Sequence, residues 1–282
     1  MKKSLLFLAI FLISTCMIAQ PRVHLGLTTA MNSTHVLDKG LSQDPRYAAQ
    51  STIEWAPIGF NFGVDFGKKF GLQLEAIKAA QGQIYKVIDT YDKVVGERNI
   101  DLEYLQFPLL MKMMSGGDAT TRFNFQIGPQ LSILQGGLET IKYAQSIQNI
   151  PDGSAIPSGA TQNPDGTYNV PELPTTTLLS STATNEIQKF KDKQVEIAIG
   201  FGIDIDMLRN FYLSMNVRSN YSLTDMRNED LIELLKSNSL SELISHRANL
   251  AVGVQLGLHW MIGGTRAFNA KDKKILEEMK NN

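Results

Sequence analysis

The sequence has one cysteine, Cys16, among its 282 residues. Because Cys16 lies in a segment with the features of an export signal, we expect the mature chain to have none. Disulfides, thiolate zinc sites and cysteine nucleophiles are then excluded. The chain after this segment also lacks any run of about eighteen apolar residues, which excludes a membrane-spanning helix.

Charge is sparse and balanced, with 27 Lys and Arg against 28 Asp and Glu and a net charge of −1. The absence of a basic excess argues against a nucleic-acid partner, and the absence of an acidic tract argues against a disordered acidic tail. The mean hydropathy of −0.11 fits a soluble protein. It fits a membrane barrel equally well, because strands with one apolar face average to a neutral value.

The N-terminus has the order of a secretory signal. Lys2 and Lys3 precede an apolar run over residues 5–13, and a small-residue region ends at Ala19. We predict a signal peptide over residues 1–19, cleaved between Ala19 and Gln20. The alternative is lipidation of Cys16, since residues 13–16 loosely resemble a lipobox, although Thr15 stands where Gly, Ala or Ser is usual.

The rest of the sequence is dominated by a period of two, which is typical of strands with two different faces. In the last predicted strand the apolar side chains from Leu250 to Ile262 alternate with small and polar ones from Asn249 to His259. Eight segments alternate in this way: residues 23–32, 58–66, 70–81, 105–113, 122–133, 194–205, 211–221 and 249–262. The pattern predicts an all-β fold with eight strands.

The connections between these segments alternate between short and long. Short turns are predicted at residues 67–69, 115–118 and 207–210. Long connections follow Ser33 and lie around residues 91–92, 136–189 and 228–245. Short turns at one end, long loops at the other and an even strand number predict an antiparallel up-and-down transmembrane β-barrel, OmpA-like in size, with both termini at the short-turn end.

This interpretation divides the chain into three parts. Residues 20–263 form the barrel, with a long external loop over residues 136–189 that holds a short hairpin around Tyr168 and Val170. Residues 264–282 form a charged periplasmic tail. Five aromatic side chains of the apolar face lie at strand ends near the short turns or the C-terminal exit, as an interfacial girdle requires: Phe66, Phe70, Phe123, Phe211 and Trp260.

Alternation alone leaves open a soluble, lipocalin-like barrel, which would bury its apolar face and expose the polar one. An exposed strand face usually carries many Lys and Glu. The polar faces of the last three strands instead hold Gln, Asn, Ser, Gly and Ala, with few charges and no Lys. This composition favours the membrane barrel and a location in the outer membrane.

The polar face supplies a candidate lumen charge network. Its members are Asp65, Glu75, Arg122, Glu196, Asp204 and Arg218, with Lys112 as a further candidate. Eight strands enclose an interior just wide enough for side chains to fill. We therefore expect these charges to pair and plug the lumen; the alternative is a proton or ion path, or a gate.

No motif predicts catalysis, a cofactor or a metal. The four histidines, His24, His35, His246 and His259, lack a close-spaced ligand pair, and no phosphate loop, dinucleotide fingerprint or Gly-x-Ser-x-Gly is present. We assign no catalytic, cofactor-binding or metal-binding residue. A pair such as His35 with Asp38 leaves open an outer-membrane enzyme with an active site on the loop rim.

The segment Tyr104-Leu105-Gln106-Phe107-Pro108-Leu109-Leu110 is followed after a hairpin by Gly128-Pro129. This motif resembles the PorT-like outer-membrane β-barrel family, which is typical of Bacteroidota and related Gram-negative bacteria. The ending Met17-Ile18-Ala19-Gln20 resembles signal peptides of the same bacteria. The resemblance implies an eight-stranded outer-membrane barrel and supplies no catalytic residues. The namesake of the family is an accessory of type IX secretion and gliding.

Together these observations predict a non-enzymatic outer-membrane protein. It would be a structural or accessory component that acts through its extracellular loops, in secretion or envelope assembly. The expected partners are outer-membrane lipid and other envelope or secretion proteins.

Overall fold

The computed structural model describes residues 21–89, 92–115, 120–181, 190–208, 210–237 and 245–262. The predicted signal peptide with Cys16 and the predicted tail over residues 264–282 lie outside the described residues. Neither of the two described helices, α1 (Lys39–Gln43) and α2 (Glu229–Ser237), is long and apolar enough to cross a membrane.

Eight long strands close into one barrel in which every neighbouring pair is antiparallel. In order around the ring they are β1 (Pro21–Asp38), β3 (Thr52–Phe66), β4 (Phe70–Ile88), β5 (Val94–Met114), β6 (Thr121–Tyr143), β11 (Lys193–Leu208), β12 (Phe211–Ser222) and β13 (Arg247–Ile262). The ring closes where β1 pairs with β13, from Val23 opposite Ile262 to Asp38 opposite Arg247. The predicted fold, an eight-stranded up-and-down barrel, is confirmed.

Among the described residues, five short strands lie at the long-loop end. They are β2 (Tyr47–Gln50), β7 (Ser146–Gln148), β8 (Thr161–Gln162), β9 (Tyr168–Val170) and β10 (Thr176–Ser180). β2 pairs with β4 and β10 pairs with β6, whereas β7, β9 and β8 form a small separate sheet that includes Tyr168 and Val170. The first residues of the predicted external loop, from Gly136 to Tyr143, belong to β6.

The outer surface carries a continuous apolar band. On β13 the side chains of Val252, Val254, Leu256 and Leu258 point outward, while Gln255 and His259 are buried inside. Four of the five predicted girdle residues, Phe70, Phe123, Phe211 and Trp260, are exposed on the outer surface. Phe66 is opposite Phe70 and Phe211 is opposite Trp260, so these rings lie together at the short-turn end.

Three strands continue beyond the band, and on β5 the alternation inverts there. In the band, β5 places Leu105 and Leu109 on the outer face. Farther along, the outer face of β5 carries Asp101 and Glu103, while Leu102 is fully buried inside. We call this region the wall extension. It consists of β2, β10, the part of β4 after Ala76, the part of β5 before Leu105 and the part of β6 after Ile133. On β5, the polar outer face at Asp101 and Glu103 and the buried Leu102 are arranged as in a β-structure in water.

Candidate functional site

The lumen of the barrel is filled by polar side chains, and Glu75 with Arg218 forms its central ion pair. The Arg218 guanidinium donates three hydrogen bonds of 2.8–2.9 Å to the two Glu75 oxygens. The amides of Gln255 and Gln73 donate to the same carboxylate at 2.8 and 2.6 Å. Arg218 also donates to Gln255. The carboxylate is thus hydrogen-bonded from several sides, which is the condition under which a buried charge is tolerated.

A second group of charges lies nearer the short-turn end. The Lys112 ammonium contacts both Asp204 oxygens, at 3.0 and 2.8 Å, and the Asn124 amide donates to Asp204 at 3.0 Å. Arg122 donates to Asp206 at 2.6 Å. Of these residues, Lys112 is predicted only as a further candidate, and Asp206 is not among the predicted residues.

The remaining two predicted residues also face the lumen but lie apart from these ion pairs. Glu196 is buried and accepts a hydrogen bond of 2.6 Å from the Gln130 amide. Asp65 lies with an oxygen 3.8 Å from Nε2 of His24. The six predicted residues therefore all line the lumen, but they are distributed over several local groups.

Closure of the barrel brings together two histidines that are far apart in sequence. The His24 and His259 rings lie 5.2 Å apart between centroids, and Tyr212 stacks on His259 at 4.2 Å. The Ser214 hydroxyl is 2.8 Å from Nε2 of His259. This group could have been predicted from the expected pairing of the first strand with the last, which brings His24 close to His259. Within the described part of the chain, no set of three or more His, Cys, Asp or Glu is placed to hold a metal ion.

The long-loop end is crossed by a chain of four buried charges that the sequence analysis missed. Arg98 donates to Glu139 at 2.7 Å, Arg247 donates to the other Glu139 oxygen at 3.0 Å, and Arg247 donates to Asp38 at 2.6 Å. The four residues come from β5, β6, β13 and β1, so the chain ties opposite walls together. Its charges cancel, as two guanidinium groups meet two carboxylates.

This charge chain is extended by the loop residues beside it. Asp225 receives the Arg247 backbone N–H at 2.9 Å and the Arg227 guanidinium at 3.0 Å. Burial alone would raise the pKa of Asp38, but the Arg247 charge, the Ser245 hydroxyl and the Arg227 charge outweigh it and lower that pKa. Burial of Asp225 is likewise outweighed by Arg227, so the pKa of Asp225 is lowered. Both carboxyls are therefore held in the ionised form.

Beneath the charge chain lies an apolar layer. Its buried members are Val36, Leu41, Tyr85, Ile100, Leu102, Tyr104, Phe190 and Met226. The Tyr104 hydroxyl faces the lumen side and accepts a hydrogen bond of 2.7 Å from Gln194. The layer and the charge chain together close the long-loop end of the lumen.

This closure was not predicted because the predicted strands are too short. The fourth predicted strand begins at Leu105, which leaves out Arg98, Ile100 and Leu102, and Glu139 falls in a predicted loop. The suggested pair of His35 and Asp38 is not formed: His35 Nε2 lies 3.2 Å from the Ser33 hydroxyl, while Asp38 binds Arg247.

A comparison with family models matches residues 18–228 to the outer membrane protein beta-barrel domain family. The chain belongs to this family. The barrel therefore lies in the outer membrane, and its apolar band faces lipid. The extracellular placement of the long loops remains a prediction. The narrower PorT-like assignment remains a prediction.

Several solved outer-membrane proteins are similar to this chain at low identity. Neisserial surface protein A is 9% identical over 83% of this chain and 95% of its own, with a TM-score of 0.35. The outer membrane protein OprG from Pseudomonas aeruginosa is 14% identical over 87% and 97%, with a TM-score of 0.37. The attachment invasion locus protein Ail of Yersinia pestis is 9% identical over 84% and 98%, with a TM-score of 0.34. No curated protein matches the chain.

Proposed function

We propose that this protein is a non-enzymatic scaffold of the outer membrane that binds a protein partner in secretion or envelope assembly through its wall extension. The observation that carries the proposal is the charge chain Arg98–Glu139–Arg247–Asp38 at the base of the extension. It fixes strands that rise well beyond the lipid-facing band. A barrel that served only as a membrane anchor would not need them.

The filled lumen supports a binding role over a channel. Ion pairs occupy its membrane-spanning part, and the apolar layer with the charge chain closes its extracellular end. An eight-stranded barrel leaves little space beyond what its side chains fill. Recognition of a partner must then use the outer surface.

The extension carries a cleft with the chemistry of a protein interface. Arg46, Tyr47 and Tyr143 line it together with Ile150 and Pro151, and its volume is about 360 Å³. The Arg46 guanidinium lies 5.7 Å from the centre of the Tyr47 ring. Tyr and Arg are the residue types most often found at the energetic centre of protein interfaces.

The outer face beside this cleft carries both positively and negatively charged side chains. Lys86 pairs with Glu97 and Lys142 pairs with Glu172, at 2.6 and 2.8 Å. A polar rim around an aromatic centre is the usual anatomy of a transient protein interface. The cleft and its rim are thus the surface on which we expect the partner to bind.

The experiment is cross-linking and co-purification of the tagged full-length protein from outer membranes, comparing wild type with Arg46→Glu and Lys68→Glu. Arg46 is exposed at the cleft, whereas Lys68 is exposed in the turn at the opposite end. We expect a protein that co-purifies with wild type and Lys68→Glu and is lost with Arg46→Glu. Identical co-purified sets for all three proteins would contradict the proposal.

A further inference from the structure

The barrel wall is not continuously paired between β3 and β4. At the periplasmic side the two strands pair from Phe66 opposite Phe70 up to Phe60 opposite Ala76. Beyond that point no strand pairing joins residues 52–59 to residues 77–83, all of which the structure describes. Pairing on this edge of β4 resumes only with β2, where Gln50 is opposite Ile84. We call the unpaired stretch the seam.

The seam has a cause in the sequence. Between Gln50 and Phe60 the chain advances ten residues, whereas β4 advances eight between Ala76 and Ile84, so the two segments cannot pair one residue to one residue along their whole length. Pro57, in the middle of the seam, has no backbone N–H to donate. Pro57 and Ile58 are both exposed, which breaks the alternation of β3 at that point.

On its outer side the seam meets the lipid-facing band. Ile53 and Ile58 are 71% and 69% exposed, compared with 41% for Ile199, which lies in a fully paired part of the wall. On the β4 side, Lys78 and Glu103 form an ion pair of 2.6 Å at the edge of the band. The seam therefore opens at the level where the acyl chains of the outer leaflet meet their headgroups.

On its inner side the seam is lined by small apolar residues. Ala30, Ala56, Ile77 and Ala79 are buried and form one cluster. Neighbouring lumen positions on the same strand, Gln73 and Glu75, are polar. An apolar patch thus faces a polar lumen at the place where the wall lacks strand pairing.

We propose that the seam is a lateral port that admits an acyl chain of an outer-leaflet lipid to the alanine cluster. Elsewhere in the wall, separating two strands would break a ladder of hydrogen bonds in a medium without water, which is costly. At the seam there is no ladder to break. It is held closed by contacts among small side chains and, at its upper end, by the Thr34 hydroxyl, which donates to the Gly82 carbonyl at 2.9 Å and contacts the Thr52 hydroxyl. An acyl chain would replace those contacts with equivalent apolar ones. This inference goes beyond the proposed function and does not depend on it.

The experiment places a photoreactive benzoylphenylalanine at one position at a time in the full-length protein, reconstituted in vesicles of phosphatidylcholine and phosphatidylglycerol. The test position is Ala79, and the matched control is Ala198, an equally small, buried, lumen-facing alanine paired on both sides. Leu74 faces lipid and serves as the positive control. Heat-modifiable electrophoretic mobility verifies that each variant is folded; if Ala79 does not accept the probe, Ala30 replaces it.

We expect phospholipid adducts from Leu74 and Ala79 and none from Ala198. A second variant carries Ala56→Cys, Ala79→Cys and the probe at Ala30. Its adduct should be lost when the two cysteines are oxidised to a disulfide and should return on reduction. Adducts from Leu74 alone would overturn the proposal. Equal labelling of Ala79 and Ala198 would overturn it as well, because lipid would then reach the lumen without using the seam.

Discussion

Arg218 and Glu75 lie on strands β12 and β4, four strands apart in either direction around the ring, and they meet across the lumen through three hydrogen bonds of 2.8–2.9 Å. No other two positions on an eight-stranded ring are farther apart. The pair therefore joins opposite walls directly, and it stabilises the membrane-spanning part of the barrel from inside.

Replacing Glu75 with Gln should destabilise the barrel by about 3–5 kcal/mol, because the Arg218 charge would remain buried without its counter-ion. The double variant Glu75→Gln with Arg218→Gln should recover most of that loss, since neither charge remains. Urea unfolding in vesicles, followed by the fluorescence of the outward-facing Trp55 and Trp260, measures both. Additive losses in the double variant would show that the two residues are not coupled.

Lysine substitutions should distinguish the two faces of the wall. Val254→Lys puts a charge near the middle of the lipid-facing band and should cost about 2–4 kcal/mol. In Gln130→Lys, the new side chain is similar in length to glutamine. It places an ammonium beside Glu196, where the Gln130 amide donates a hydrogen bond of 2.6 Å in the wild type. We expect the second variant to unfold at the same or a higher urea concentration than wild type. A comparable loss in both variants would refute the assignment of faces.

Gly202 is required for close contact between β11 and β12. A Cβ at this position would lie 2.0 Å from the Met215 carbonyl oxygen, whereas a Cβ at Gly136 would meet no atom within 4 Å. Gly202→Ala should therefore destabilise by at least about 1–3 kcal/mol, the usual range for overpacking. Gly136→Ala should be neutral or slightly stabilising. The same unfolding assay tests the pair, and equal effects would exclude a steric role for Gly202.

The charge chain at the long-loop end should make stability depend on acid pH. The pKa of Asp38 is lowered in the folded protein below its ordinary value of 3.8. Its stabilising contribution is therefore complete above the unfolded pKa and is lost as the pH falls through the lower, folded pKa. Between about pH 5 and about pH 3 wild type should lose more unfolding free energy than Asp38→Asn, which lacks this carboxyl. Parallel pH profiles for the two proteins would contradict the expectation.

The membrane-spanning part of this fold could be predicted from the sequence because lipid outside and a crowded lumen inside impose one pattern on every strand. Leu105, Phe107 and Leu109 alternate with Gln106 for that reason. Strand number, the closure of β1 on β13 and the lumen position of Glu75 and Arg218 all follow from it. The pattern does not predict which charge pairs with which, because pairing depends on how strands on opposite sides of the lumen are aligned.

The wall extension could not be predicted in the same way. Above the band the outer face becomes polar, at Asp101 and Glu103, and the inner face becomes apolar, at Ile100 and Leu102. A strand predicted from one fixed apolar face therefore ends at this inversion, although the real strand continues beyond it. Ile77 and Lys78, which blur the pattern of β4, mark the same boundary: Ile77 is inside and Lys78 is outside.

The inversion on β5 also fixes how deeply the protein sits in the bilayer. Glu103 and Leu105 are consecutive residues on one face of one strand, with water required at the first and hydrocarbon at the second. A shift of the barrel by one such step along the membrane normal would move a carboxylate into the acyl chains or strip lipid from a leucine. The protein therefore has a single depth of immersion, and a membrane of different thickness would have to deform around it.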